Sequence, residues 1–269
     1  MGRKTLLKTL ILAACIALAG CGTVKEASVE NAQAEIQTKT GDNLYKTDKT
    51  DKSGKSDRET QISLIAASAD MFSGYDEGAG YKYAATDLDR NGRLEIICAS
   101  QQGSGFYTYA DFYEVNEKRD KLEKCRYNAA DGDSQPDIIS QSARYCEKDG
   151  RICYFFDDDI RAGADYFYVL KDALWLKNGE VSFSGCAVCS NENGRIVYLN
   201  GKNEEVYKEE YDALCEYPFG EDAEYKTAYF EWYELNDGIS EENLKQSYMT
   251  FLNEEKDEKD EEKDCREQS

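Results

Sequence analysis

The sequence predicts a single α+β domain in which antiparallel β-hairpins form a meander and amphipathic helices flank it. Asx-Gly dipeptides recur between aromatic and β-branched runs, which is the strongest local signal for a two-residue hairpin. Apolar residues recur at helical spacing before and after those runs. The folded part is expected to span 59–252, about 190 residues, which is long enough for one domain with a sizeable core.

The elements follow from these patterns in chain order. A helix is predicted over 59–73, with an apolar face formed by Ile62, Ile65, Ala66, Ala69 and Phe72. Four pairs mark hairpin turns: Asp149-Gly150, Asn178-Gly179, Asn193-Gly194 and Asn200-Gly201. They predict strands over 142–148, 151–157, 166–177, 180–189 and 195–199. Two further helical faces follow, formed by Tyr207, Tyr211, Leu214 and Cys215, and by Leu244, Tyr248, Phe251 and Leu252.

Charge and composition limit the chemistry. Residues 59–252 hold 38 acidic and 19 basic residues, a net charge of −19. Such a domain is repelled by phosphate backbones and anionic lipid headgroups, so nucleic acid is not an expected partner. Histidine is absent from the chain. This excludes Ser-His-Asp and Cys-His catalysis, histidine zinc ligands and imidazole proton shuttles.

The N-terminus has the pattern of a secretory signal over 1–20. Three basic residues precede an apolar run that is too short to cross a bilayer, and small residues follow it. The stretch Leu18-Ala19-Gly20-Cys21 resembles the lipobox of bacterial lipoproteins. That resemblance implies cleavage before Cys21 and acylation of its thiol, with palmitate among the acyl groups. Two alternatives remain. The segment could be an ordinary signal peptide in which Cys21 occurs by chance, or Cys15 could be the lipidated cysteine.

The sequence on either side of the domain is polar. Residues 21–58 consist of the expected lipidated cysteine and a disordered tether with seven acidic and seven basic residues. Residues 253–269 form an acidic tail with nine acidic and four basic residues. We therefore expect a monomeric domain held on the outer side of the cell membrane, with the lipid as its membrane contact.

One acidic loop has spacing that implies specific chemistry. In the stretch 87–95, side-chain oxygens recur at Asp87, Asp89 and Asn91, a glycine follows, and Glu95 stands at the ninth position. A Ca²⁺ ion takes six to eight oxygens, and a loop folded round it can deliver them at alternate positions, with the carbonyl of Arg93 as another. An EF-hand is excluded because its twelfth position, a bidentate glutamate, is Cys98 here.

The same stretch, running into an apolar strand, resembles the calcium loops of FG-GAP repeats. It is also similar to a single segment of many secreted lipoproteins of Gram-positive gut bacteria. The resemblance implies side-chain ligands from Asp87, Asp89, Asn91 and Glu95, and Ca²⁺ as the cofactor. The alternative is an acidic turn that binds no ion. Asp131, Asp133 and Asp137 could be a decayed second copy, but two departures from the pattern argue against an ion site there.

Eight cysteines remain beyond Cys15 and Cys21, and an exported protein can keep disulfides. Cys146 and Cys153 are equidistant from the predicted Asp149-Gly150 turn, so they should face each other and could form a disulfide. Cys186 and Cys189 lie in a predicted strand, whereas a redox-active motif opens a helix.

These observations leave three functional hypotheses. The leading one is a calcium-stabilised, non-catalytic domain that binds a protein or glycan ligand. The second is a lipid-anchored hydrolase that uses two carboxylates in a cleft; the adjacent Asp157, Asp158 and Asp159 do not by themselves provide such a pair. The third is a thiol-redox lipoprotein.

Overall fold

Two β-sheets and three α-helices form in the residues that the computed structural model describes, which are 56–75, 77–102, 107–127, 135–161 and 165–252. The predicted α+β class is confirmed, and one main core joins both sheets. The predicted signal peptide, Cys21, the predicted tether up to residue 55 and the predicted acidic tail lie outside these ranges. Within them, no helix is long and apolar enough to span a membrane.

The helices are α1 (Asp57–Ala67), α2 (Lys208–Glu216) and α3 (Glu241–Leu252). Helix α1 begins before the predicted residue 59 because Ser56 and Glu59 form a capping box. The Ser56 hydroxyl accepts from the Glu59 N–H at 3.1 Å, and the Glu59 carboxylate accepts from the Ser56 N–H at 2.9 Å. It also ends earlier than predicted, since the chain tightens into a 3₁₀ turn at Ala69–Phe72 that buries Phe72.

The strands of the described residues are β1 (Lys82–Thr86), β2 (Glu95–Gln102), β3 (Tyr107–Val115), β4 (Leu122–Lys124), β5 (Arg126–Tyr127), β6 (Ser142–Lys148), β7 (Arg151–Arg161), β8 (Tyr166–Lys177), β9 (Glu180–Glu192), β10 (Arg195–Asn200), β11 (Lys226–Tyr229) and β12 (Tyr233–Glu234). The smaller sheet has the antiparallel order β12-β1-β2-β3-β4. Helix α3 packs against β1, and α1 packs against α3.

The larger sheet has the order β10-β9-β8-β7-β6-β11, and β5 pairs with β9 in parallel. Strands β6 to β10 are successive antiparallel neighbours. The pair Asn178-Gly179 joins β8 to β9 with positive φ at both residues, 53° and 66°. Both values suit a two-residue hairpin turn. A bulge interrupts the β8–β9 pairing between Lys171 and Asp172.

The two faces of the larger sheet carry different apolar clusters. Tyr154 and Leu174 face the main core together with residues of the smaller sheet, α1 and α3. On the other face lies a smaller cluster of Cys146, Cys153, Phe155, Ala173, Cys186 and Tyr225. Helix α2 contacts β9 and β10 but buries none of its own residues completely.

Candidate metal centre

The acidic loop connects β1 and β2, two neighbouring inner strands of the smaller sheet. Asp87 directly follows β1, and Glu95 is the first residue of β2, paired with Thr86 across the ladder. Arg90 and Gly92 have left-handed backbones, with φ of 54° and 81°. These two residues turn the chain so that both ends of the loop meet at the strand termini.

Three carboxylates converge inside this loop. Asp87, Asp89 and Glu95 each offer an oxygen atom, and these atoms all lie within 4.8 Å of one another. Asp87 is 8% exposed and Glu95 is fully buried. The structure therefore brings together three of the five residues that the sequence predicts as ligands.

The two oxygens of Glu95 have different surroundings. Oε2 accepts hydrogen bonds from the Leu88 N–H at 2.7 Å and from the Thr86 hydroxyl at 3.0 Å. Oε1 is buried and has no hydrogen-bond partner among the described residues. Burying a carboxylate oxygen without a partner costs free energy of folding, so we expect a proton or a cation to bind at this atom.

The electrostatics of the triad favour a positive ion. The pKa of Asp87 is raised to about 7, chiefly by burial and also by the Asp89 carboxylate. Burial also raises the pKa of Glu95 well above its usual range, and the charges of Asp87 and Asp89 add to this effect. Burial raises the pKa of Asp89 against the hydrogen bonds donated by Asn91. A bound divalent cation would supply the charge that stabilises the ionised carboxylates.

The other two predicted residues lie beside the triad. The side-chain amide of Asn91 donates to Asp89 at 2.9 Å, and its oxygen accepts from the Arg93 N–H at 2.7 Å. The guanidinium of Arg93 forms an ion pair with Glu114 at 2.7 Å. Asn91 also donates to Glu114 at 2.8 Å. Asn91 and Arg93 thus order the loop and connect it to Glu114.

Glu114 was not predicted from the sequence. It lies on β3 directly across from Glu95 and is 5% exposed. Burial raises the pKa of Glu114, and Asn91 and Arg93 lower it. No local motif marks this residue, because its position depends on the pairing register of β2 and β3.

The loop is held from helix α1 by a second unpredicted residue. The side chain of Gln61 is 1% exposed and contacts the loop backbone twice. Its amide donates to the Gly92 carbonyl at 2.9 Å, and its oxygen accepts from the Leu94 N–H at 2.8 Å. Arg119, which forms an ion pair with Asp57 at 2.7 Å, also donates to the Gly92 carbonyl at 3.3 Å.

The predicted cysteine pair lies elsewhere, on the larger sheet. Cys146 and Cys153 are paired directly across β6 and β7, both are buried, and both are free thiols in the structure. Cys186 and Cys189 lie within β9, not at the start of a helix. Their pKa values are raised, chiefly by burial, which disfavours the reactive thiolate.

The acidic triplet of β7 does not form a shared cleft. Asp157 pairs with Lys171 at 2.5 Å and Asp159 with Arg161 at 2.8 Å. Asp158 points to the opposite face, as alternation along a strand requires, and is 3% exposed. Asp137, from the possible second loop, accepts from Thr108 at 2.9 Å, and the preceding residues 128–134 lie outside the described ranges.

The triad consists of oxygen donors alone, so the arrangement suits a hard cation rather than a soft one. No protein-family model, curated protein or solved structure matches this chain.

Proposed function

We propose that this chain is a calcium-stabilised, non-catalytic binding domain, displayed on the outer side of the cell membrane by a lipid on Cys21. The single observation that carries the calcium part is the unpartnered Oε1 of Glu95. Oε1 is buried, and the Glu95 carboxylate to which it belongs offers an oxygen within 4.8 Å of an oxygen of Asp87 and of Asp89. A cation bound there would satisfy it and offset the repulsion among the three charges.

The donor set favours calcium over other cations. Ca²⁺ accepts a flexible arrangement of six to eight oxygens, whereas Mg²⁺ demands near-ideal octahedral geometry and keeps several waters. The D-x-D-x-N-G-x-x-E spacing supports Asn91 and the carbonyl of Arg93 as further ligands, by resemblance to FG-GAP loops. None of the three residues in the triad is a cysteine or a histidine, whose thiolate and imidazole ligands select softer metals.

The display part of the proposal is supported by sequence and charge. The Leu18-Ala19-Gly20-Cys21 stretch supports lipidation at Cys21, and the intervening 22–58 segment is neutral. The folded domain, at −19, would be repelled by an anionic membrane. The lipid therefore has to supply the anchoring. We infer that the successive hairpins β6 to β10 and their helices form the scaffold that presents a protein or small-molecule ligand site.

Calcium binding can be tested through stability. The melting temperature of the chain should rise with Ca²⁺ relative to EDTA, and saturation at a free concentration 100-fold above Kd corresponds to about 2.7 kcal/mol. Glu95→Gln should abolish this rise. In EDTA the same substitution should not destabilise the protein, and is expected to raise its melting temperature, because it removes one of three converging carboxylates whose negative charges repel one another.

Glu221→Gln is the matched control, since Glu221 is an exposed carboxylate in the loop between α2 and β11. It should leave both the calcium-dependent rise and the melt in EDTA unchanged. The calcium assignment is wrong if wild type melts at the same temperature in Ca²⁺ and EDTA, or if Glu95→Gln retains the full rise.

A further inference from the structure

A cavity of about 340 Å³ lies on the outer face of the larger sheet, away from the acidic loop. Its floor is formed by Cys153, Ala173 and Cys186 on β7, β8 and β9. The Asn200-Gly201 turn after β10 and Phe219, which follows α2, form its walls. The size is within the range of pockets that hold small organic molecules.

The charge of the cavity is opposite to that of the domain around it. Among the described residues that line it, Arg151 and Lys202 are the two charged ones, and both are cationic. Neither forms an ion pair with another described residue. The guanidinium carbon of Arg151 lies 4.7 Å from the centre of the Trp175 ring, which holds the side chain over the indole. In a domain with a net charge of −19, two unpaired cations at one cavity mark a local preference for anions.

The backbone shapes the cavity as well as the side chains. Gly201 lies so close to β9 that a Cβ atom on it would be 2.7 Å from the Gly185 carbonyl oxygen. The bulge in the β8–β9 pairing falls at the same place, opposite Gly185 and Cys186. Bulges often occur beside binding sites because they redirect the neighbouring side chains. Two glycines and a bulge thus bring the turn after β10 against the sheet and close one side of the cavity.

We infer that this cavity binds a small organic carboxylate with an apolar, preferably aromatic, body. The apolar floor and the Phe219 ring would contact the body of the ligand, while Arg151 and Lys202 would bind the carboxylate. The planar fork of arginine suits a carboxylate in particular. This inference gives a ligand class to the binding role proposed above and rests on that role, but it does not involve the metal loop.

Tryptophan fluorescence offers a direct test, because Trp175 borders the cavity and the chain has only one other tryptophan. In the full chain carrying Trp232→Phe, Trp175 is the sole tryptophan reporter. We expect phenylacetate, benzoate or isovalerate to change its fluorescence saturably, with phenylacetate stronger than its neutral amide. Arg151→Gln and Lys202→Gln should each weaken phenylacetate binding about tenfold, as loss of one hydrogen bond to a charged group predicts.

Lys177→Gln is the matched control, since Lys177 is an exposed cation at the end of β8 and does not line the cavity. Its affinity for phenylacetate should equal that of the Trp232→Phe parent. The inference is overturned if none of the three acids gives a saturable change in a folded protein, or if phenylacetamide binds as tightly as phenylacetate. Titrations repeated in EDTA separate this result from the calcium proposal. If only the calcium proposal fails, the melting temperature is the same in Ca²⁺ and EDTA, while phenylacetate still binds.

Discussion

The hydroxyl of Tyr154 donates a hydrogen bond of 3.0 Å to the carbonyl oxygen of Leu88. Tyr154 belongs to β7 of the larger sheet, whereas Leu88 lies in the acidic loop of the smaller sheet, and both are buried. A second hydrogen bond joins the same loop to the larger sheet, since Arg90 donates to the hydroxyl of Tyr145 on β6 at 2.5 Å. The loop that would hold the metal is therefore also a joint between the two sheets.

Tyr154→Phe should reveal this joint. The substitution leaves the buried Leu88 carbonyl without its partner, so we expect a loss of about 1–3 kcal/mol in the free energy of unfolding. It should also weaken calcium binding, because Leu88 lies between Asp87 and Asp89. Denaturant unfolding in EDTA and a calcium titration measure the two effects. Tyr168→Phe, which removes an exposed hydroxyl bonded to Glu192, should change neither by more than a few tenths of a kcal/mol.

Gln61→Leu tests the second support of the loop. The substitution keeps the side-chain volume but removes the bonds to the Gly92 carbonyl and the Leu94 N–H. The buried Leu94 N–H then lacks a partner, while the exposed Gly92 carbonyl keeps the bond from Arg119, so the free energy of unfolding should fall by about 1–3 kcal/mol. Chemical denaturation measures it. Gln141→Leu, at an exposed position just before β6, is the control, and a similar loss there would show that the effect is not due to the loop.

Part of the fold could be predicted because its signals are local. A type I′ two-residue turn needs positive φ at both positions, and Asn-Gly or Asp-Gly supplies it, so Asp149-Gly150 and Asn193-Gly194 mark their turns directly. The order of the strands could not be predicted in the same way. Strand β11 pairs with β6, with Lys226 opposite Tyr145, and nothing near either residue indicates the other. Long-range pairing depends on packing that no short stretch encodes.

The candidate site shows the same division. Asp87, Asp89 and Glu95 lie in one loop, and their spacing alone predicts that their oxygens converge. Glu114 and Gln61 reach that loop from β3 and α1, so only the packed structure reveals them. The cavity could be predicted even less. Arg151 and Lys202 are brought together by a hairpin, a bulge and a glycine contact, and no short stretch of sequence indicates that combination.

Oxidation of Cys146 and Cys153 is a further prediction. Their direct pairing across β6 and β7 places the two Cα atoms at a separation that a disulfide can bridge. An external thiol oxidant, such as oxidised glutathione, should convert the two thiols to one disulfide. The closed loop is short, so a stabilisation of about 2.5 kcal/mol is expected from chain entropy. Differential alkylation and peptide mapping would identify the bond.

The serine variants provide the control for this bond. Cys153→Ser should abolish the oxidant-dependent rise in melting temperature, whereas Cys215→Ser, on α2, should retain it. A bond that instead joins Cys153 to Cys186, its neighbour in the small apolar cluster, would contradict the predicted pairing.

Asp172 predicts a pH dependence that is independent of the metal loop. It lies on β8, is 3% exposed, and shares the core-facing side of the sheet with Asp158. Its pKa is raised from 3.8 to about 7, chiefly by burial and also by the charges of Asp158 and Asp157, while Lys171 lowers it. Tyr127 on β5 and Cys186 on β9 are the other titratable groups close to it.

Because the folded state holds this proton more tightly than the unfolded state, wild type should lose stability as the pH rises from about 4 to about 7. Asp172→Asn removes that loss. In EDTA, the free energy of unfolding of Asp172→Asn should equal that of wild type at pH 4. Above pH 7 it should exceed that of wild type by about 2–4 kcal/mol. Asp165→Asn, at an exposed position just before β8, should track wild type throughout. An advantage that is constant with pH would mean that Asn improves packing, and that the buried charge of Asp172 is not what destabilises the sheet.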